Sequence, residues 1–212
     1  MKEPKIVKSR RGRPSLAQAS EIDKMILQVA QDLFLKHGFD LVSMEQVVAA
    51  AGVSKGTLYA RYSSKEALFG AVIEAAVERW SMEAALDDNL LTDDVEQLLR
   101  HHARTITKFM HRPEVLAMQR LLLAVGTRFP ELVETMHDRG YRYIVNLIAQ
   151  DIRQAEQAHG CETADAEAVA HMLVAGLSGY QMQISSQADH EAQAAALADR
   201  MVDIIVAGRS AW

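Results

Sequence analysis

The sequence predicts an all-α protein of about nine helices, a short N-terminal helical unit followed by a larger helical body. Three observations lead there. Ala, Leu, Glu and Gln are abundant, against only 4 Pro, 5 Tyr, 5 Phe and 2 Trp, a composition that favours helix over sheet. Apolar residues recur at spacings of three and four along most of the chain, the period of a helix buried on one side. No stretch alternates apolar and polar residues as a half-buried strand would, and no internal repeat is found.

The helices can be placed in order. Ile22, Met25, Ile26, Val29, Ala30, Leu33 and Phe34 form the stripe of the first, with Ser20 as N-cap and Gly38 as its stop. A short second helix opens at Ser43, where "SMEQ" sets Gln46 three residues on for a reciprocal capping box, and ends at Gly52. Ser54 caps a third through "KGTLYARY". Ser63 and Glu66 form a second box opening the fourth, whose stripe is Leu68, Phe69, Val72, Ile73, Ala76, Val77 and Trp80. The region Asp87–Thr92 reads as a loop. Thr92 caps a helix to Met110, Pro113 stands at N1 of one ending by Gly126, and Pro130 starts a long one to about Ala158. Two more span about Thr163–Ser185 and Asp189–Ala207.

Charge divides the chain. Residues 1–65 hold 11 Lys/Arg against 6 Asp/Glu, the remainder 12 against 22. A basic first third on an acidic remainder suggests a polyanion-binding module joined to a body with another task, with a solvated charged tail as the alternative. No apolar run approaches the ~18 residues of a membrane span, and no apolar segment follows the basic N-terminus as a secretory signal requires. The lone Cys161 forms no internal disulfide, which suits a reducing cytoplasm.

Within "SMEQVVAAAGVSKGTLYARY", two short helices joined by "AGVS" have the form of a helix-turn-helix, residues 43–62. In such a unit the second helix enters the major groove of DNA. Ala49, Ala50 and Ala51 would let the first helix pack closely, and Leu58 would point inward. Lys55, Gly56, Thr57, Tyr59 and Arg61 would then lie on or near the surface. Gly56 wastes helix propensity unless backbone must approach something closely.

The run from Phe39 to Phe69, above all "AGVSKGTLY" followed by "SKEALF", resembles the DNA-binding domain of TetR/AcrR-family transcriptional regulators over about residues 20–70. "RFPEL", Arg128 to Leu132, is similar to a junction in AefR-like bodies of that family. The resemblance implies a basic flexible arm at 1–19, a TetR-type DNA-binding domain at 20–82, and a helical effector-binding and dimerisation domain at 83–212. Lys55 and Gly56 would approach base edges or phosphates. Thr57 and Tyr59 would bond phosphate oxygens, with Ser43 and Lys65 clamping phosphate at helix starts. Arg61 replaces a more usual aromatic and could add a phosphate contact. Glu45 stands where relatives often carry a cation, and would repel phosphate or read a cytosine amino group.

The "RRGRP" run, with Arg10, Arg11 and Arg13, resembles the minor-groove hook of AT-rich DNA binders; a disordered solubilising tail is the alternative. The family pairs its final helices with those of a second copy. Ala170, Val174, Leu177 and Gln181 on one helix, and Ala194, Leu197, Met201, Ile204 and Ile205 on the next, would supply that homodimer interface. A pocket lined by Phe109, Met118, Leu122, Met136, Tyr143 and Met172 would take an unidentified small molecule, flexible methionines suiting an apolar effector. For each of these residues plain core packing is the alternative.

The expected function is therefore a cytoplasmic repressor, released from a palindromic double-stranded DNA operator by its effector. An activator or a constitutive DNA binder stays open, with a helical ligand-binding protein or enzyme more remote. No cofactor, metal or catalytic residue is expected. Glu134 and His137 make a single E-x-x-H where a di-iron site wants two, "GLSG" at Gly176–Gly179 falls short of a nucleophile elbow, and Cys161 has no adjacent base.

Overall fold

The computed structural model describes residues 16–87, 92–160, 165–184 and 189–211. Arg10, Arg11 and Arg13 of the expected arm, and Cys161, lie outside them. The described residues form α1 (Leu16–Leu41), α2 (Met44–Ala51), α3 (Lys55–Tyr59), α4 (Lys65–Asp87), α5 (Val95–Met110), α6 (Pro113–Val125), α7 (Pro130–Met136), α8 (Arg142–Ala158), α9 (Ala166–Ile184) and α10 (His190–Ala207). A π-helical turn, His137–Tyr141, joins α7 to α8 without a break. They are therefore one rod, as the sequence suggests, and the described residues hold nine such rods and no strand.

Local chemistry sets the boundaries. The Ser43 box is present: Ser43 Oγ accepts from the Gln46 amide at 3.2 Å, and Gln46 Oε1 accepts from the Ser43 amide at 2.7 Å. Gly52 at φ 63° closes α2 in the left-handed conformation. Gly38, at φ 78° and ψ 165°, sits where only glycine is unstrained. The helical backbone is interrupted there, where the sequence expects a stop, and a short turn beyond it carries Phe39 into the core.

Three starts or caps and one helix end differ from expectation. Helix α1 begins at Leu16, not after Ser20, because the strong helix formers Leu-Ala-Gln-Ala extend it upstream. The cap of α4 is Ser64, whose Oγ accepts from the Ala67 amide at 3.1 Å, so the Ser63–Glu66 box is displaced by one residue. Asp94 caps α5, accepting from the Glu96 and Gln97 amides, and Thr92 Oγ1 accepts from Asp94 one step earlier. A carboxylate is the better acceptor at a positive helix end. Helix α3 stops at Tyr59, its last turn carried to Tyr62 by Tyr62 N–H donating to Leu58 O at 2.9 Å.

Two apolar cores organise the chain. The first joins α1–α4 to α6 and the start of α7, through Val115, Met118, Leu121, Leu122, Val125, Phe129 and Leu132. Its centre is aromatic: Phe69 stands 5.1 Å from Phe34, 5.0 Å from Phe39 and 5.8 Å from Phe129, ring centre to ring centre. Packing thus crosses the expected 82/83 boundary. The polar contacts cross it too. Trp80 Nε1 donates to Glu114 Oε1 at 3.4 Å, and Arg128 pairs with Asp40 at 2.8 Å, while Arg112 pairs with Glu83 of α4 just past the boundary.

The second core is a four-helix bundle of α5, α8, α9 and α10. Arg100 on α5 ties the bundle together, pairing with Glu96 at 2.7 Å and Asp203 of α10 at 2.6 Å. Buried His102 meets Asp151 of α8 at 2.9 Å, and buried Glu156 is matched by Arg209. The chain therefore passes between the cores three times, from α4 to α5, from α5 to α6, and along the α7–α8 rod.

The faces expected to meet a second copy are mostly turned inward. Ala170, Val174, Leu177, Gln181, Ala194 and Ile205 are buried within the bundle, Leu197 and Met201 are half-buried, and Ile204 is exposed. The apolar stripe picked from the sequence is the one each helix buries against its own neighbours. What faces outward is Met172, Ala175, Gly179 and Met182 on α9, with Ile204 on α10.

Replacing Phe69 by Ala removes the centre of the first core, and should lower unfolding free energy by about 3–5 kcal/mol. A urea denaturation midpoint within error of the parent would refute that centrality. Ser43→Ala deletes half of one capping box, with an expected cost of about 1 kcal/mol by the same measurement.

Candidate nucleic-acid interface

The helix-turn-helix is assembled from one buried anchor and several outward groups. Leu58 is 0% exposed and fixes the rotation of α3, while Met44, Val47 and Ala51 bury the inner face of α2. Ala49 and Ala50, expected at the helix contact, are exposed instead; only Ala51 of the three packs inward. With Leu58 inward, Lys55, Gly56 and Tyr59 project into solvent, Tyr59 being 43% exposed. A side chain at Gly56 would meet no protein atom nearer than Ser54 Oγ at 3.8 Å. The protein itself therefore does not require glycine there, leaving close approach of something external.

Ser54 caps α3, accepting from the Thr57 amide at 3.0 Å and bonding Thr57 Oγ1 at 2.8 Å. Thr57 is half-buried and its hydroxyl is engaged in that cap. Lys55 reaches across to α2, its Nζ 2.8 Å from Glu45 Oε1. That hydrogen bond holds the Glu45 carboxyl below the ordinary carboxylate range and keeps Lys55 charged to higher pH than usual. Both groups are well exposed, and a pair of this kind opens readily when a stronger anion arrives.

Two expected phosphate ligands are turned to other tasks. Arg61 Nε donates to Asp23 Oδ1 at 2.6 Å and its Nη1 to Thr57 O at 3.1 Å, stitching α1 to the end of α3. Lys65 Nζ donates to Phe39 O at 2.9 Å and Asp40 O at 3.3 Å, and lies 4.3 Å from the centre of the Phe39 ring. It thereby ties off the last turn of α1, with one N–H left for an outside partner. Ser43 is exposed beside the Lys55–Glu45 pair's helix. Asp23 is the contact that sequence reasoning missed; its only signal was an acid on the first helix with an unexplained arginine in "ARY".

The residues expected to line an effector pocket separate into two groups. Met118 and Leu122 are buried in the first core, and Phe109 and Met136 are partly buried against it. Tyr143, 44% exposed, and Met172, 61% exposed, lie on the surface. Glu134 and His137 are both exposed. Among the described residues no helix is long and apolar enough to cross a membrane.

Comparison with known proteins matches these parts one by one. Residues 26–72 fit the family model of bacterial regulatory proteins of the tetR family, and residues 97–208 fit that of the AefR-like transcriptional repressor C-terminal domain. The HTH-type transcriptional repressor ComR of Escherichia coli K12 is 37% identical over 76 residues, 35% of this chain and 34% of ComR. The HTH-type transcriptional regulator UidR of the same strain is 30% identical over 138 residues, 62% of this chain and 65% of UidR. The chain thus spans between a third and two thirds of the length of these relatives. A crystal structure from Mesorhizobium loti MAFF303099, assigned to the TetR family, superposes with a TM-score of 0.75 at 26% identity, covering 90% of this chain and 97% of that one. With its N-terminal helix-turn-helix and AefR-like helical body, the chain belongs to the TetR family of bacterial transcriptional regulators.

Proposed function

We propose that this regulator is a repressor, a homodimer that sits on a palindromic operator in the cytoplasm and leaves it when a small molecule binds the body. The observation that carries the reading is the outward face of α3. Lys55, Gly56 and Tyr59 are set by buried Leu58 on a head whose apolar core continues into α6 and α7. A head so anchored cannot be repositioned without α6, so a ligand that shifts the body shifts the pair of heads. Release is then a population shift between a dimer whose heads match successive grooves and one whose heads do not.

On this reading residues 1–15 are a basic arm, 16–82 the DNA-binding domain and 83–212 the effector and dimer body. Lys55, Gly56 and Tyr59 approach the bases, with Thr57, Ser43 and the third N–H of Lys65 on phosphates. Arg61 acts through Asp23 by holding α3 against α1. The outward stripe of Met172, Ala175, Gly179 and Met182, with Ile204, supports pairing of α9 and α10 with a second copy, since such a run is rarely left in water. Two heads about 34–36 Å apart then read one palindrome. The names of ComR and of the AefR-like domain model favour repression.

Selection of genomic fragments by the purified protein tests the reading. Expected is an enriched palindrome with half-sites one helical turn apart; no enrichment at low salt would end it. On that site Lys55→Ala should change sequence preference, whereas equal loss on every sequence would reject base contact. Glu45→Gln frees Lys55, and should raise affinity for unrelated DNA and steepen the salt dependence by about one unit in log–log slope. Deleting residues 1–14 should flatten that slope if the arm lies on DNA; an unchanged slope rules the arm out.

A further inference from the structure

Where α5 runs out and the chain turns toward α6, a pocket of about 370 Å³ opens between α5 and α10. Its volume lies within the range that holds small organic ligands. Its wall is cationic: Arg104, Lys108 and Arg112 face it against one acid, Glu191. Arg104 is paired with Asp199 at 3.2 Å and Arg112 with Glu83. Lys108 is exposed and has no ion-pair partner among the described residues. The floor is apolar, made by Ala195 and Ala198.

Two polar groups of this wall are buried without a protein hydrogen bond, Thr107 Oγ1 and His111 Nε2. His111 Nδ1 is 2.6 Å from the Thr107 carbonyl. A carbonyl only accepts, so Nδ1 carries the proton and Nε2 of the neutral ring is left as an acceptor. The ring is held in place by stacking on His190 of α10, 5.3 Å centre to centre. A buried hydroxyl and imine nitrogen without partners are costly, and such a cost is met by a ligand that supplies them.

We propose that this pocket is the effector site, and that it takes a compact organic acid: a carboxylate at Lys108 and Arg112, a ring or short chain over Ala195 and Ala198, and a hydroxyl toward Thr107 and His111. This rests on the ligand-released reading above and specifies its ligand class. The site lies on the α5–α6 passage between the two cores. Its carboxylate competes with Glu83 for Arg112, and the Arg112–Glu83 pair is a tie between that passage and α4. Occupation therefore loosens the helix that carries the head.

Calorimetric titration of the full chain with benzoate, 4-hydroxybenzoate and their uncharged amides tests it. The acids should bind at least tenfold tighter than the amides, and 4-hydroxybenzoate tighter than benzoate. Lys108→Ala should weaken 4-hydroxybenzoate about tenfold, the scale of one hydrogen bond to a charged group, and Thr107→Val about fivefold, the scale of a neutral one. Glu83→Gln, which removes the competitor, should tighten it. Equal binding of acids and amides, no binding at millimolar concentration, or indifference to both pocket substitutions in variants with parental thermal melts would overturn the proposal. DNA capture without acid binding sinks this inference and leaves the regulator reading standing; acid binding without DNA capture does the reverse.

Discussion

The fold depends on a shared aromatic contact. Phe34 and Phe39 come from α1, Phe69 from α4, and Phe129 from the junction before α7, and their rings meet within 6 Å of one another in successive pairs. Edge-to-face and tilted rings at such distances gain about 0.5–1.5 kcal/mol per pair beyond the area they bury. More important is what they connect. Phe129 is the one ring of the four outside the head, and Arg128 beside it covers Phe39 at 5.0 Å while pairing with Asp40. The head is thus capped by a piece of the body, and does not close its core alone.

Electrostatics around α3 follows from that construction. An acidic protein carries few cations to spare, and those near α3 are held by the fold before any nucleic acid arrives. Arg61 fastens α3 to α1, Lys65 fastens the end of α1 to the start of α4, and Lys55 leans on Glu45. The first gives precision to the angle of a five-residue helix that buries only Leu58. The third is exposed and weak, and stays exchangeable. Rigid placement and available charge are therefore divided among different residues.

What could be read from the sequence divides along the same physical line. Local features were legible: the Ser43–Gln46 box, the Gly38 and Gly52 turns, Pro113 and Pro130 at first positions, and the inward Leu58 all follow from short-range sterics and periodicity. Choices between equivalent neighbours were not. Ser63 and Ser64 are both fit to cap, and only the packing of α4 selects the second. Partners far apart in the chain were hidden altogether: Asp23 for Arg61, the Phe39 carbonyl for Lys65, Glu83 for Arg112. Tyr143 and Met172 are exposed, which periodicity does not show for an aromatic or methionine beside a helix's buried stripe. The wall formed by Arg104, Thr107, Lys108 and His111 did have a signature, polar residues at spacings of three and four on one face of a helix whose opposite face is apolar.

The π turn at His137–Tyr141 has a consequence for how such bodies diverge. A turn of this type holds one residue more than its α counterpart, and one residue amounts to roughly 100° of azimuth along a helix. The rod can bury Leu132 in one core and Val145, Ile148 and Ile152 in the other because the surplus residue resets the phase between them. A loss or gain of a single amino acid at this joint changes only the winding of one turn, whereas the same event elsewhere in the rod would point a whole apolar stripe at water. Length drift among kindred chains should therefore collect here, and an alignment gap of one at this place marks a change of pitch and not a change of architecture.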